Sequence, residues 1–261
     1  MCLLVFSWQM TQEHPLIVAA NRDERFDRPA ESISVLRECN PRVLGGRDQV
    51  AGGTWLAVNE HGVVVGLTNR PSPGGRDLTK RSRGELPLMV ANQRSAAAGV
   101  AALTRTVLPG QYNPAWLLVG DRESLYYVEL TIDGPPSSRP LPPGIHVLEN
   151  VALGEPSPKV DWVLSKMSAV EREDPSLWTA VRSVLSDHTV PSFEMVNHGA
   201  TEEVVRRPAT LASCVHTDDY GTRSAALVRV PADALEKPDL LVADGPPCTT
   251  SFIDVGPLWS S

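Results

Sequence analysis

The chain opens on two short and almost uninterrupted apolar runs, residues 3–8 and 16–20. Runs of this length without polar alternation read as strands covered on both faces, as in the middle of a layered sandwich. The second run ends in Asn21-Arg22-Asp23-Glu24, and a polar exit loop follows over 25–29. A short strand is expected over 33–36, and the glycine pairs Gly45-Gly46 and Gly52-Gly53 read as turns. Residues 54–58 and 62–69 form the arms of a hairpin through 59–62. The stretch 70–81, rich in proline, glycine and basic residues, reads as an exposed loop. Helical spacing of Ala, Leu and Val predicts helices over 84–90 and 95–107. Strands follow over 116–119, 125–130 and 145–150, with a surface loop over 133–144 that contains five prolines. Helices over 158–169 and 175–186 each carry a proline near the start, where its missing N–H does no harm. A polar, irregular stretch spans 187–209, and four closing strands are expected over 211–215, 224–230, 240–243 and 251–255. Strands, two helices, strands, two helices, strands is an order most economically met by a four-layer α-β-β-α sandwich, an α+β fold. Without an internal repeat or a separating linker, residues 1–261 read as one domain.

Composition narrows this picture without redirecting it. Of 261 residues, 42% are hydrophobic and 21% charged, ordinary globular usage that supports a packed core. The net charge of −7 argues against nucleic-acid binding, which needs clustered Lys and Arg. The N-terminal apolar run is too short for a signal peptide and lacks a basic leader. No run approaches the ~20 residues of a membrane span. The expectation is a soluble cytoplasmic protein. The four cysteines, Cys2, Cys39, Cys214 and Cys248, contain no CxxC pair and are too few for a disulfide scaffold. The histidines form neither HxH nor HExxH, so no metal site is expected. Any haem would bind non-covalently, and His198 and His216 are the histidines to look for near a pocket.

Candidate chemistry concentrates at the start. If Met1 is removed, Cys2 carries a thiol and a free α-amine, and an α-amine of pKa ~7.7–8.0 is partly unprotonated at neutral pH. Nucleophile and base are then one residue. The competing reading of Cys2 is a small buried thiol in a core strand. The polar strand ends have double readings too. Arg22 and Asp23 suit either a functional pair or a buried ion pair. Asn69 and Asn150 can terminate strands by bonding to nearby backbone, and Arg223 sits in a tight turn.

Asn21-Arg22-Asp23-Glu24 does not stand alone. Met1-Cys2, Gly53-Thr54-Trp55-Leu56, Leu67-Thr68-Asn69, Arg83-Gly84-Glu85-Leu86 and Tyr220-Gly221-Thr222-Arg223 accompany it in order along the chain. With these pieces the sequence resembles the NRDE family, also called the transport and Golgi organization protein 2 family. The resemblance implies a sandwich of the N-terminal nucleophile hydrolase type. It links the chain to secretory organisation, lipid metabolism and intracellular haem handling without implying one settled activity. More loosely, Cys2, Arg22, Asp23, Asn69, Asn150 and Arg223 are similar in kind and order to the site of the cysteine-dependent amidases, the bile-salt and penicillin V hydrolases. In those enzymes Arg precedes Asn and Asn precedes Asp, whereas here Asn21 comes first. Carried over, Cys2 attacks a carbonyl carbon and Arg22 or Arg223 raises its thiolate fraction. Asp23 holds the α-amine. Asn69 and Asn150 donate to the oxyanion, where one donor is worth ~2.7–4 kcal/mol. Three functions follow as expectations. The first is hydrolysis of a small-molecule non-peptide amide with no cofactor. The second is a carrier for haem or a lipid-like ligand. The third is an interaction protein in trafficking.

Overall fold

The computed structural model describes residues 2–72, 74–191 and 208–260. In chain order the elements are β1 (Cys2–Trp8), β2 (Leu16–Arg25), β3 (Ala30–Arg37), β4 (Val43–Asp48), β5 (Leu56–Asn59) and β6 (Val64–Asn69), then helices α1 (Glu85–Ala91) and α2 (Ala96–Thr106). They continue with β7 (Ala115–Gly120), β8 (Leu125–Leu130), β9 (Ser137–Pro140) and β10 (Gly144–Leu148), helices α3 (Pro158–Met167) and α4 (Leu177–Leu185), and β11 (Tyr220–Val230), β12 (Asp239–Ala243) and β13 (Ile253–Asp254).

Two antiparallel sheets form the middle layers. One has the order β10-β1-β2-β11-β12-β13, and the other runs consecutively from β3 to β9. The period-2 geometry of a strand explains why β1 and β2 are apolar throughout. Leu4, Phe6 and Trp8 of β1, with Leu16, Val18 and Ala20 of β2, meet Leu44, Leu56 and Leu118 of the second sheet. The alternate residues Leu3, Val5, Ile17 and Ala19 pack instead against Val163 of α3 and Val181 and Val184 of α4. Helices α1 and α2 cover the far face of the second sheet through Leu86, Val90, Val100 and Leu103. Each large side chain buried in these layers contributes roughly 1.5–3 kcal/mol. The expected α-β-β-α sandwich is the observed one. Among the described residues no helix is long and apolar enough to cross a membrane.

Three local expectations give way. Gly45 and Gly46 do not turn the chain; they lie inside β4. A Cβ on Gly45 would sit 2.6 Å from the Leu56 carbonyl oxygen, and one on Gly46 2.3 Å from the Trp55 ring. These glycines serve close approach between strands, a use of glycine that resembles a turn signal in sequence. The proline-rich 133–144 stretch contains β9, an edge strand paired only with β8, where proline is tolerated. Residues 211–215 make no ladder. A 3₁₀ turn, Pro208–Leu211, is followed by a segment whose Val215 N–H donates to the Thr222 hydroxyl at 2.9 Å.

Candidate active site

The β1–β2 register sets Cys2 opposite Arg22 at the open end of the first sheet. Beyond it, β2 alternates. Asn21 turns to the helix layer, where its Nδ2 donates to the carbonyls of Leu185 and Ser213, each at 2.8 Å. Arg22 turns to the second sheet, and its guanidinium lies 4.5 Å from the centroid of the Trp55 ring. Asp23 turns back toward α3, where Lys159 Nζ is 3.9 Å from its Oδ2, both side chains fully buried. The Thr222 hydroxyl donates to Asp23 Oδ1 at 2.6 Å, and the Tyr220 hydroxyl donates to the Asp23 carbonyl at 2.9 Å. Thr222 lies directly opposite Asp23 in the β2–β11 register, just before a bulge between Thr222 and Ser224.

Two asparagines complete the corner. β10 pairs with β1 so that Leu148 faces Leu4, and Asn150 follows two residues later. Its Oδ1 accepts from the Cys2 nitrogen at 3.3 Å, and its Nδ2 donates to the Asn69 carbonyl at 2.5 Å. That Cys2 nitrogen is a peptide nitrogen while Met1 is attached and the α-amine once Met1 is gone. Asn69, at the end of β6, presents a carboxamide that makes no hydrogen bond among the described residues.

Cys2, Arg22, Asp23 and Asn69 line a pocket of about 240 Å³ between the open ends of the two sheets, together with Glu24, Arg28, Asp48, Trp55, Arg76 and Arg83. A tight backbone contact fixes one wall: Thr54 N–H donates to the Gly84 carbonyl at 3.0 Å, and a Cβ on Gly53 would sit 2.4 Å from the Gly84 backbone. Arg28 is neutralised by Asp48 at 2.7 Å and Glu24 at 3.7 Å. Arg83 donates to the Pro114 carbonyl at 3.1 Å, and neither it nor Arg76 has a carboxylate partner among the described residues.

Electrostatics follow from this packing. Burial pushes the Cys2 thiol up, and Asp23 adds to that, while Arg22 and a backbone hydrogen bond from Asp23 pull it down without prevailing. Burial also pushes the Asp23 carboxyl up, against the pull of Lys159 and the Thr222 hydrogen bond. Burial lowers Arg22, and the Cys2 thiolate, Glu24 and Asp48 oppose it. Arg83 falls to about 10, first from burial and then from Arg76 and Arg28, and so remains a cation at neutral pH.

Of the residues singled out from sequence, Cys2, Arg22, Asp23 and Asn69 line the pocket, and Asn150 braces it from behind. Arg223 is not in the lining. Its Nη1 donates to the carbonyls of Arg25 at 3.3 Å and Phe26 at 2.6 Å, and its guanidinium stacks over the Phe26 ring. His216 lies with Cys214 and Cys248 instead, and His198 falls outside the described residues. Lys159, Arg28, Asp48 and Arg76 were not anticipated. Trp55, Arg83 and Thr222 lie within the motifs shared with the family, but nothing in those motifs gives them a role. A buried lysine on a helix carries no sequence signal, because its partner is set by packing between layers.

Comparison with known proteins agrees with this architecture. The family model described as Transport and Golgi organisation 2 matches residues 1–235. The chain is 29% identical to the Transport and Golgi organization protein 2 homolog of Bos taurus over 253 residues, covering 89% of this chain and 90% of that one. It is 28% identical to the Homo sapiens homolog over 256 residues, with the same coverage of each. Among solved structures, the Caenorhabditis elegans N-acylethanolamine-hydrolyzing acid amidase ortholog superposes with a TM-score of 0.55 at 14% identity, over 91% of this chain and 98% of that one. The C2A mutant of the conjugated bile acid hydrolase from Clostridium perfringens superposes with a TM-score of 0.52 at 13% identity, over 98% of this chain and 93% of that one. At these identities the two structures establish the N-terminal nucleophile hydrolase fold.

Proposed function

From the premise that the chain belongs to the Transport and Golgi organisation 2 family, we propose that it hydrolyses a non-peptide amide bond with Cys2 as nucleophile. One observation carries the reading: Cys2, its own nitrogen, Arg22, Asp23 and the open carboxamide of Asn69 converge on one pocket. The reaction requires that Met1 be removed. The Cys2 α-amine takes the thiol proton, and Sγ attacks the carbonyl carbon. The oxyanion is met by Asn69 and the Arg22 cation. The protonated amine gives its proton to the leaving nitrogen, the C–N bond breaks, and a thioester remains on Cys2. Water, deprotonated by the same amine, attacks the thioester and releases a carboxylic acid and the free thiol. Asn150 positions the α-amine. The Asp23–Lys159 pair fixes the strand end that carries Arg22. One structural neighbour named as an amidase and another named as a hydrolase are in keeping with this chemistry.

The lining further favours a substrate with an acidic group. Arg76 and Arg83 stand at the pocket without carboxylate partners among the described residues, and burial makes Arg83 a poorly solvated cation that an anion would satisfy.

The test uses the purified full chain. Intact mass is expected to lack Met1. N-acylglycines are expected to be cleaved faster than N-acylethanolamines of the same acyl chain, with an acyl adduct on Cys2 in quenched samples. Cys2→Ala is expected to abolish both turnover and adduct. Retention of Met1, or turnover undiminished in Cys2→Ala, overturns the mechanism. Equal rates on the two substrate series overturn the anionic preference alone.

A further inference from the structure

A second constellation lies outside the pocket. His188 follows α4, Cys214 and His216 flank Val215 ahead of β11, and Cys248 sits in the turn after β12. One ligand atom from each of these four side chains can be chosen so that all lie within 4.8 Å of one another. The two sulfurs are 3.8 Å apart, and His216 Nε2 is 3.6 Å from the Cys214 sulfur and 3.4 Å from that of Cys248. A tetrahedral zinc with Zn–S near 2.3 Å and Zn–N near 2.0–2.1 Å requires S···S edges of about 3.8 Å and S···N edges of about 3.6 Å. Cys214, His216 and Cys248 therefore already outline one face of that tetrahedron. The fourth corner is prepared as well. His188 Nδ1 is 3.1 Å from the Cys214 carbonyl, and its ring centroid is 4.9 Å from that of His216. With Nδ1–H donating to that carbonyl, Nε2 is left as the ligand nitrogen, which is the outer-sphere support that metal-bound histidines have.

We propose that His188, Cys214, His216 and Cys248 bind one zinc ion. Two thiolates and two imidazoles in four-coordinate geometry select zinc over magnesium or calcium, which prefer oxygen donors. A full set of four protein ligands makes the site structural, because no corner is open for water or substrate. Its place in the fold gives it a role. Val215 and Thr222 are joined by two hydrogen bonds, at 2.9 and 2.8 Å, and His216 bridges to Gly221. Thr222 in turn donates to Asp23. The ion braces the hairpin that orients the Asp23 carboxylate, and this holds whether or not Cys2 is a nucleophile. Spacing rules miss the site because its ligands come from three separate stretches, Cys214 lying 26 positions after His188 and Cys248 34 positions after Cys214.

The experiment is metal analysis of the full chain, purified under phosphine reductant without chelator, followed by replacement of the metal with cobalt. Expected are one zinc per chain and, in the cobalt form, the intense visible d–d bands and sulfur-to-metal charge transfer of a tetrahedral thiolate site. Cys248→Ser, in an exposed turn, should cut zinc retention after dialysis by at least about tenfold, the lower end of what loss of a supporting group costs a metal site. Cys39→Ser, at an exposed cysteine outside the cluster, should leave zinc and spectrum unchanged. Failure of reduced wild-type protein to take up zinc or cobalt, with native circular dichroism, overturns the proposal. So does an octahedral cobalt spectrum, or retention unchanged in Cys248→Ser. If the two cysteines form a disulfide and the protein, once reduced, still takes up no metal, they are a redox pair and the assignment fails.

Discussion

Replacing Lys159 with methionine removes the cation that faces Asp23 while keeping a long side chain in the same space. The two groups are 3.9 Å apart and both side chains are fully buried. At an effective dielectric constant of about 20, unit charges at that distance attract by about 4 kcal/mol. Removing one partner of a buried pair costs roughly 3–5 kcal/mol, consistent with that figure. The pH dependence carries the diagnostic sign. Burial raises the folded-state pKa of Asp23 above its unfolded value of about 3.9, and loss of Lys159 raises it further. A raised carboxyl favours the folded state below the unfolded pKa, and that contribution is lost as pH rises through the folded pKa. Lys159→Met should therefore lose about 4 kcal/mol at pH 7.5 and no more than about 1 kcal/mol at pH 4.5, where the variant folds with a neutral acid. Urea unfolding at the two pH values measures both. In a double-mutant cycle, Asp23→Asn with Lys159→Met should be more stable than Lys159→Met alone. A loss under 1 kcal/mol at pH 7.5, or a larger loss at pH 4.5, would refute the assignment of a charged buried pair.

Three further outcomes follow from the geometry. In a chain that keeps Met1 behind an N-terminal tag, burial raises the Cys2 thiol above 9.0, so alkylation by iodoacetamide, followed by mass spectrometry, should reach half its maximal rate only above that pH; half-maximal labelling near pH 8 contradicts this. Asn150→Ala frees the Cys2 nitrogen and the Asn69 carbonyl together and should lower kcat by about 100-fold on any Cys2-dependent substrate, with little change in KM, because it misplaces the amine without touching the binding arginines. Gly53→Ala forces a Cβ to within 2.4 Å of the Gly84 backbone and should cost about 1–3 kcal/mol, read calorimetrically as a fall in Tm of about 2–4 °C per kcal/mol.

The layers were legible because their cause is local. Uninterrupted apolar runs mark β1 and β2 as covered on both sides, and the spacing of Ala, Leu and Val marks α2. Polar residues at the ends of those strands marked Cys2, Arg22, Asp23 and Asn69, since a strand end is where a buried element can present a polar side chain. What escaped was set by distance in sequence. Lys159 reaches Asp23 only through helix packing, and Arg223 is drawn off to two carbonyls by a bulge that no periodicity announces. The cysteine–histidine cluster assembles from three stretches that share nothing until the sheet brings them together. Gly45 and Gly46 misled because glycine marks both a turn and a crowded crossing, and only the neighbour across the strand distinguishes them.

The Asn150 carboxamide touches both halves of the sandwich, taking the Cys2 nitrogen on one side and the Asn69 carbonyl on the other. It therefore acts as a spacer gauge. Bulkier side chains introduced between the sheets at positions such as Leu4 or Leu118 would spread the gap and draw the amide off one of its two partners. Turnover would then fall by more than the accompanying loss of stability explains, so this site would report swelling of the central layer before global unfolding does.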